Sequence, residues 1–293
     1  VFKTILVNLV GTPDDGGTLD TALAVARLFN GHLVCTRIHP DIMSQVLNAS
    51  GIDMGSGTGA VAETFQALSE EERKASENTK AAFQAFIARE KLPIVERTRT
   101  SGVTVSWREM QGTPDDVLSN MGRYCDLIVV GPRGGKNTQL TSVELGNVVL
   151  DCGRPILISP PKRALVSPRK IAVAWKDSPE SARAVTAAMP LLSQAKQVIV
   201  LGAAEEEDAC LPCADSCRKI AECIDWQGVE TDSALVVPGG RSSADAILDR
   251  AMEKGADMLV MGGFGHSRLR ETIFGGFTRQ ILERNPLPIF IFH

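Results

Sequence analysis

Apolar residues along the chain fall into short runs separated by helical patterns, and strand and helix alternate through its length. Lys3 to Val10 is an apolar run with Val and Ile, followed by the turn-rich GTPDDGG from Gly11 to Gly17. Thr18 to Phe29 places Leu19, Leu23 and Ala26 at helical spacing, and Asn30 with Gly31 suits a helix end. His32 to Ile38 reads as a second strand, and His39 to Gly59 as a long irregular stretch, a loop or lid. Ala60 to Glu90, rich in Ala, Glu, Lys and Gln, is helical by propensity. Further strands are expected at Val103 to Met110, Asp126 to Gly131 and Pro155 to Ser159, with helices starting at Thr113 and Pro114 and spanning Thr141 to Leu150.

Ser159 to Lys170, with three prolines and several charges, reads as a linker. Beyond it the order restarts: strand Lys170 to Trp175, helix Pro179 to Ser193, strand Gln197 to Gly202, and a helix around Asp215 to Trp226. A strand near Ser233 to Val237, a helix from Ser242 to Gly255, a strand Asp257 to Gly262 and a last helix and strand complete it. DLIVVGPRGG at Asp126 matches DMLVMGGFGH at Asp257, and RPILISP at Arg154 matches LPIFIFH at Leu287. The expectation is therefore two copies of one unit, residues 1–160 and 170–293, joined by 161–169. Alternating strands and helices imply an open, mostly parallel five-stranded sheet in each copy, with helices on both faces. Ligands in such sheets sit beyond the carboxyl ends of the strands.

Composition narrows the function. Hydrophobic residues make up 44% and charged residues 23%, the proportions of an ordinary globular chain. The net charge of −4 and the absence of a Lys/Arg block argue against nucleic acid or an anionic membrane as the main partner. No apolar segment approaches the roughly 18 residues that span a bilayer, and Val1 onward leads straight into a strand pattern without signal-peptide character. A cytoplasmic protein is the expectation, with its seven cysteines mostly reduced.

Two phosphate-binding patterns fail. GPRGGKN at Gly131 lacks the spacing of a P-loop, and GFGHSR has Arg268 where a dinucleotide fingerprint needs glycine. What matches is G-x2-G-x9-G, carried by Gly262, Gly265 and Gly275 between a buried strand and a helix start. Glycines let backbone N–H groups approach an oxyanion, and a helix N-terminus adds unpaired donors and a positive dipole end. His266, Ser267 and Arg268 extend that loop with further donors, and no acidic partner stands beside His266 to make a general base.

On these residues, and on the phrase GGFGHSRLRETIFGGFTRQIL in particular, the chain resembles a tandem-domain universal stress protein of the UspA-like family over nearly its whole length. The resemblance implies a Rossmann-like, adenine nucleotide alpha hydrolase-like fold. It also implies an adenine nucleotide as ligand, ATP first, with or without Mg. The expected contacts are Gly262, Gly263, Gly265, His266, Ser267, Arg268, Gly275, Gly276, Phe277 and Thr278 for the phosphates. Ala174, Trp175, Lys176, Asp177 and Ala203 would lie by the nucleoside, Ala203 facing the base. Backbone N–H groups of Gly263, Gly265, Gly275 and Gly276 would be the donors. Two positions depart from the family pattern: Gly276 replaces the Ser or Thr after the last glycine, and Lys176 stands where an Asp is usual, with Asp177 one place later. In the first copy Gly131 and Gly134 keep the x2 spacing, but Gly146 lies eleven residues on, and Val10 occupies the Asp position, so that copy is expected to be a structural partner.

The function expected is regulatory or stress-protective, with at most slow ATP hydrolysis and no catalytic residues assigned. The resemblance also suggests a homodimer through the terminal strand PLPIFIF, a contact that a tandem chain can satisfy internally, and a protein partner of unknown identity. A scaffold that binds no nucleotide is the alternative. A third reading rests on Cys210, Cys213, Cys217 and Cys223. Four thiols within fourteen residues suit a zinc site, or Cys210 and Cys213 a redox pair, while Cys217, sharing a helical stripe with Ile220, Ala221 and Ile224, also suits a packed core position.

Overall fold

The structure is a computed structural model of residues 1–293. It describes the chain except residues 44–45, 47–57, 97–100, 133–139, 162–163, 166, 205–206 and 264–275. The loop expected from His39 to Gly59 and most of the glycine loop therefore lie largely outside the described residues.

The elements follow the alternation. They are β1 (Thr4–Leu9), α1 (Asp15–Phe29), β2 (His32–His39), α2 (Thr58–Glu90), β3 (Thr104–Gln111), α3 (Pro114–Gly122), β4 (Leu127–Val130), α4 (Ser142–Asp151) and β5 (Ile156–Ile158). After residues 159–169 come β6 (Lys170–Ala174), α5 (Pro179–Leu192), β7 (Gln197–Ala203), α6 (Glu207–Asp225), β8 (Thr231–Val236), α7 (Ser243–Glu253), β9 (Met258–Gly262), α8 (Gly276–Arg284) and β10 (Ile289–Phe292). Local chemistry marks their ends. Thr141 and Glu144 close a reciprocal capping box on α4, Ser178 caps α5 ahead of Pro179, and Asn30 takes the left-handed conformation at φ 48° to end α1.

All ten strands join one sheet in the order β3-β2-β1-β4-β5-β10-β9-β6-β7-β8. Pairing is parallel throughout except at the middle, where β5 and β10 run antiparallel with Phe290 opposite Leu157. Each half has the same order when its own strands are counted from one, and the two halves point their carboxyl ends toward opposite edges of the sheet. The terminal strand is hydrogen-bonded on both sides, to β5 and to β9, so the contact expected of a homodimer through PLPIFIF is made within the chain.

The inner strands are flanked by helices on both faces, so their residues alternate between two cores, whereas the edge strands β3 and β8 expose residues such as Glu109 and Asp232. One core gathers Ile5, Val7, Leu33, Val173, Val200 and Phe290 under α1, α2, α5 and α6. The other gathers Leu6, Ile128, Ala172, Leu259 and Ile291 under α3, α4, α7 and α8. Both cores run without a break across the seam between the halves. Equivalent aspartates close the amino ends of the sheet. One carboxylate oxygen of Asp126 accepts from the N–H groups of Lys3 and Thr4 at 2.7 and 2.9 Å, and Asp257 does the same for Arg169 and Lys170 at 3.1 and 3.0 Å.

One helix differs from its expected extent. A start near Asp215, after Pro212, is expected from the sequence, whereas α6 runs from Glu207 with Pro212 inside it. Its Cys217, Ala221 and Ile224 are buried against β7, and this tertiary packing carries the helix through a residue that local propensity treats as a break.

Candidate functional site

The chain leaves β6 toward β7 and β8 on one side and returns to β9 on the other, so a crevice opens between the carboxyl ends of β6 and β9. In open α/β sheets this reversal of strand order is where ligands sit. β6 contributes Ala174 and Trp175, both buried, and then the exposed Lys176 and Asp177. Ser178 begins the turn into α5, its hydroxyl accepting from Ser181 N–H at 3.3 Å, and Ser181 Oγ accepts from Lys176 N–H at 3.4 Å. The strand exit and the helix start are thereby one hydrogen-bonded unit.

Gly262, at the end of β9, lies directly against that unit. A Cβ on Gly262 would stand 2.7 Å from Ser181 N and 2.8 Å from the Glu180 carbonyl carbon, both backbone atoms that cannot rotate away. Only a residue without a side chain lets the β9 backbone approach the α5 N-terminus so closely. The structure thus brings Gly262 against the first turn of α5, whose Ser181 hydroxyl also holds the Lys176 N–H.

Other expected contacts fare differently. Gly263 N–H donates to the Phe292 carbonyl at 2.8 Å, and its own carbonyl meets His293 Nδ1 at 3.0 Å. The expectation that Gly263 N–H faces a phosphate is overturned, because that donor closes the β9–β10 ladder. Gly276 starts α8 exposed, with open space where a Cβ would be, while Phe277 is half-buried and Thr278 buried. Gly265, His266, Ser267, Arg268 and Gly275 lie outside the described residues. The Trp175 indole N–H donates to Ser216 Oγ on α6 at 2.8 Å, which turns the ring into the core and away from the crevice. Ala203 ends β7 with its carbonyl accepting from Cys213 Sγ at 3.8 Å.

The zinc expectation does not survive. Cys210, Cys213, Cys217 and Cys223 all sit on the single helix α6, with Cys217 buried and Cys223 exposed, and a straight helix cannot wrap four thiols around one ion. Among the described residues no group of three or more His, Cys, Asp or Glu is arranged to hold a metal. Burial pushes the Cys217 thiol up to about 12, opposite to the thiolate a metal requires.

The equivalent place in the first half is built otherwise. Val10 and Gly11 N–H groups donate to the buried Asp15 carboxylate at 3.1 and 2.8 Å. Burial raises the Asp15 pKa, and these two hydrogen bonds oppose that rise. Gly11 has φ +85°, and a Cβ there would stand 2.3 Å from the Ala75 carbonyl oxygen, so α2 lies across the end of β1. The helix is held down by Arg37, only 3% exposed, which pairs with Glu72, while the other oxygen of Glu72 meets His39 Nδ1 at 2.8 Å. Asp15, Ser181 and the Arg37–Glu72 pair were not among the expected site residues. A signal existed for Ser181, since SPES reads as a helix start, whereas the Arg37 partner lies far away in sequence.

A wound, mostly parallel α/β sheet with a glycine-marked crevice is the class of protein this fold defines. Residues 222–293 match the sequence model of the Universal stress protein family. Over 182 residues the chain is 22% identical to Universal stress protein Slr1230 of Synechocystis, a match that takes in 60% of this chain and 61% of that relative's length. Among solved structures, a universal stress protein from Archaeoglobus fulgidus superposes with a TM-score of 0.64 at 16% identity, covering 99% of this chain and 95% of that one. A functionally unknown protein, PA1789, from Pseudomonas aeruginosa superposes with a TM-score of 0.55 at 15% identity, covering 100% and 92%. The chain is thus similar to universal stress proteins, with the family match confined to residues 222–293. No helix among the described residues is long and apolar enough to cross a membrane.

Proposed function

We propose that the chain binds an adenine nucleotide, ATP first, in the crevice between β6 and β9, and acts through that binding in a regulatory or stress-protective role. The observation that carries this reading is the reversal of strand order between β6 and β9, where the chain leaves β6 through the exposed Lys176 and Asp177 and leaves β9 at Gly262, packed on the α5 N-terminal turn. The phosphates would take backbone donors from Gly265, Gly275 and Gly276, the last at the start of α8, where the helix dipole favours an anion. Lys176, in place of the usual Asp, would add a positive charge toward the phosphates, and Asp177 would serve the ribose. The first half, with α2 across the end of β1, would be the structural member of a tandem pair, residues 1–160 and 170–293 joined by 161–169. No general base is assigned, and hydrolysis is not part of the reading.

Equilibrium dialysis with ATP tests it, using Gly265→Val as the control. Saturable binding near one equivalent per chain, lost in the variant, is the expected outcome. Binding undiminished by Gly265→Val would sink the assignment, and no binding by the unaltered protein would favour a scaffold that docks a protein partner instead.

A further inference from the structure

Helix α6 carries Cys210, Cys213 and Cys217 three and four residues apart, a spacing that places them along one face of the helix, the face turned toward β7. Cys217 is 1% exposed, whereas Cys210 and Cys213 are half-buried. The Cys213 and Cys217 sulfurs both flank Gly202, 2.7 and 2.4 Å from where a Cβ on that residue would stand. Three thiols thus form a graded series, from the solvent-facing first turns of α6 down to the sheet.

Pro212 lies inside the helix between the two outer thiols. It has no N–H to give the Asp208 carbonyl, and its ring crowds that oxygen, so the turn that holds Cys210 is freer than a regular one. The freedom matters because residues three apart on a helix have Cβ atoms roughly 5–6 Å apart, while a disulfide needs about 3.5–4.5 Å. Tightening one loosened turn supplies the difference without moving the buried part of α6.

We propose that Cys210 and Cys213 are a thiol–disulfide exchange site whose substrate is a low-molecular-weight disulfide of the glutathione class. Cys210, as thiolate, attacks one sulfur of the small disulfide; the S–S bond breaks, one small thiol leaves, and Cys210 carries a mixed disulfide. Cys213 then gives its proton to solvent and attacks the Cys210 sulfur, expelling the second small thiol. The protein dithiol has lost two electrons and two protons, and the small disulfide has become two thiols. Cys217 stays out of the exchange because it is buried beneath Cys213, where its thiol keeps its proton at neutral pH. Oxidation draws Cys213 Sγ from the Ala203 carbonyl, so the change is felt at the carboxyl end of β7. This inference stands independently of the nucleotide reading.

The test treats the folded, reduced protein with oxidised glutathione, alkylates the remaining thiols and maps the tryptic peptide 197–218, which holds all three cysteines. The expected peptide is two hydrogens lighter than the reduced form and carries one alkyl group, on Cys217. Cys210→Ser removes that species, Cys217→Ser keeps the internal bond, and Cys213→Ser traps a glutathione adduct on Cys210. Three alkyl groups on the treated wild-type peptide would overturn the proposal, as would an internal disulfide that persists in Cys210→Ser or a Cys213→Ser variant with no adduct on Cys210.

Discussion

The exits of β1 and β6 share a hydrogen-bond plan and differ in what surrounds it. In both, an N–H just past the strand, one residue beyond β1 and two beyond β6, donates to a side chain five positions on: Val10 to Asp15 at 3.1 Å, Lys176 to Ser181 at 3.4 Å. At β1 the acceptor is a buried carboxylate, the next residue is a glycine in left-handed backbone, and α2 presses on it. At β6 the acceptor is a hydroxyl, the next residue is the exposed Asp177, and α6 is fastened farther in by the Trp175–Ser216 hydrogen bond. One scaffold therefore supports a closed end and an open end. The deciding difference is where the helix after the second strand of each half is anchored, on a buried ion pair in one and on an indole hydrogen bond in the other.

That contrast can be broken at its anchors. Replacing Glu72 by Gln leaves the Arg37 guanidinium buried without a counter-charge, and unfolding in urea should show a loss of about 3–5 kcal/mol. A loss below about 1 kcal/mol would mean that α2 is not held by this pair. Gly11→Ala meets both an unfavourable φ and the Ala75 backbone and should cost about 3 kcal/mol in the same measurement. The matching change in the second half, Asp177→Ala, should stay within about 0.5 kcal/mol, and equal losses at the two positions would erase the asymmetry. Trp175→Phe removes one hydrogen bond while keeping most of the ring volume, for about 1 kcal/mol; a larger loss would make the β6 end as dependent on its helix as the β1 end.

The smallest effect is one of pH. Asp15 has its pKa raised in the folded state, so the folded chain holds its proton more tightly than the unfolded chain does. Stability from this group is complete below the unfolded value near 3.8 and is lost as pH rises through the folded value. Asp15→Asn cannot ionise and escapes that loss. The variant should therefore gain on the parent protein between pH 4 and pH 7 in parallel urea titrations. A variant that instead loses ground to the parent as pH rises would show that the hydrogen bonds from Val10 and Gly11 outweigh burial.

Much of this was legible along the chain, for reasons that lie in particular residues. Apolar runs such as LIVV and MLVMG marked strands buried on both faces, and the matched aspartates before them, Asp126 and Asp257, exposed the internal repeat. Their shared task, accepting two backbone N–H groups from the start of a neighbouring strand, appeared only in three dimensions. The glycine pattern pointed to the end of β9, but of its expected donors Gly263 spends its N–H on a strand edge that arrives about thirty residues later. Cys217 was legible as a core position because its stripe is local, while Pro212 hid the true start of α6 because the packing that overrides it comes from β7.

The sequence by itself determined the element order, the helix caps at Ser178 and Thr141, the duplicated pattern and the glycines at the end of β9, since each depends on neighbours within a few turns of chain. Only the tertiary structure decided that β5 and β10 fuse two sheets into one, that Arg37 finds Glu72, that α2 closes the first half, and that the cysteines stack along one helix instead of encircling a metal. These depend on which groups meet across the fold, where burial makes an unpaired charge or a misplaced methyl group costly, and no local pattern carries that information.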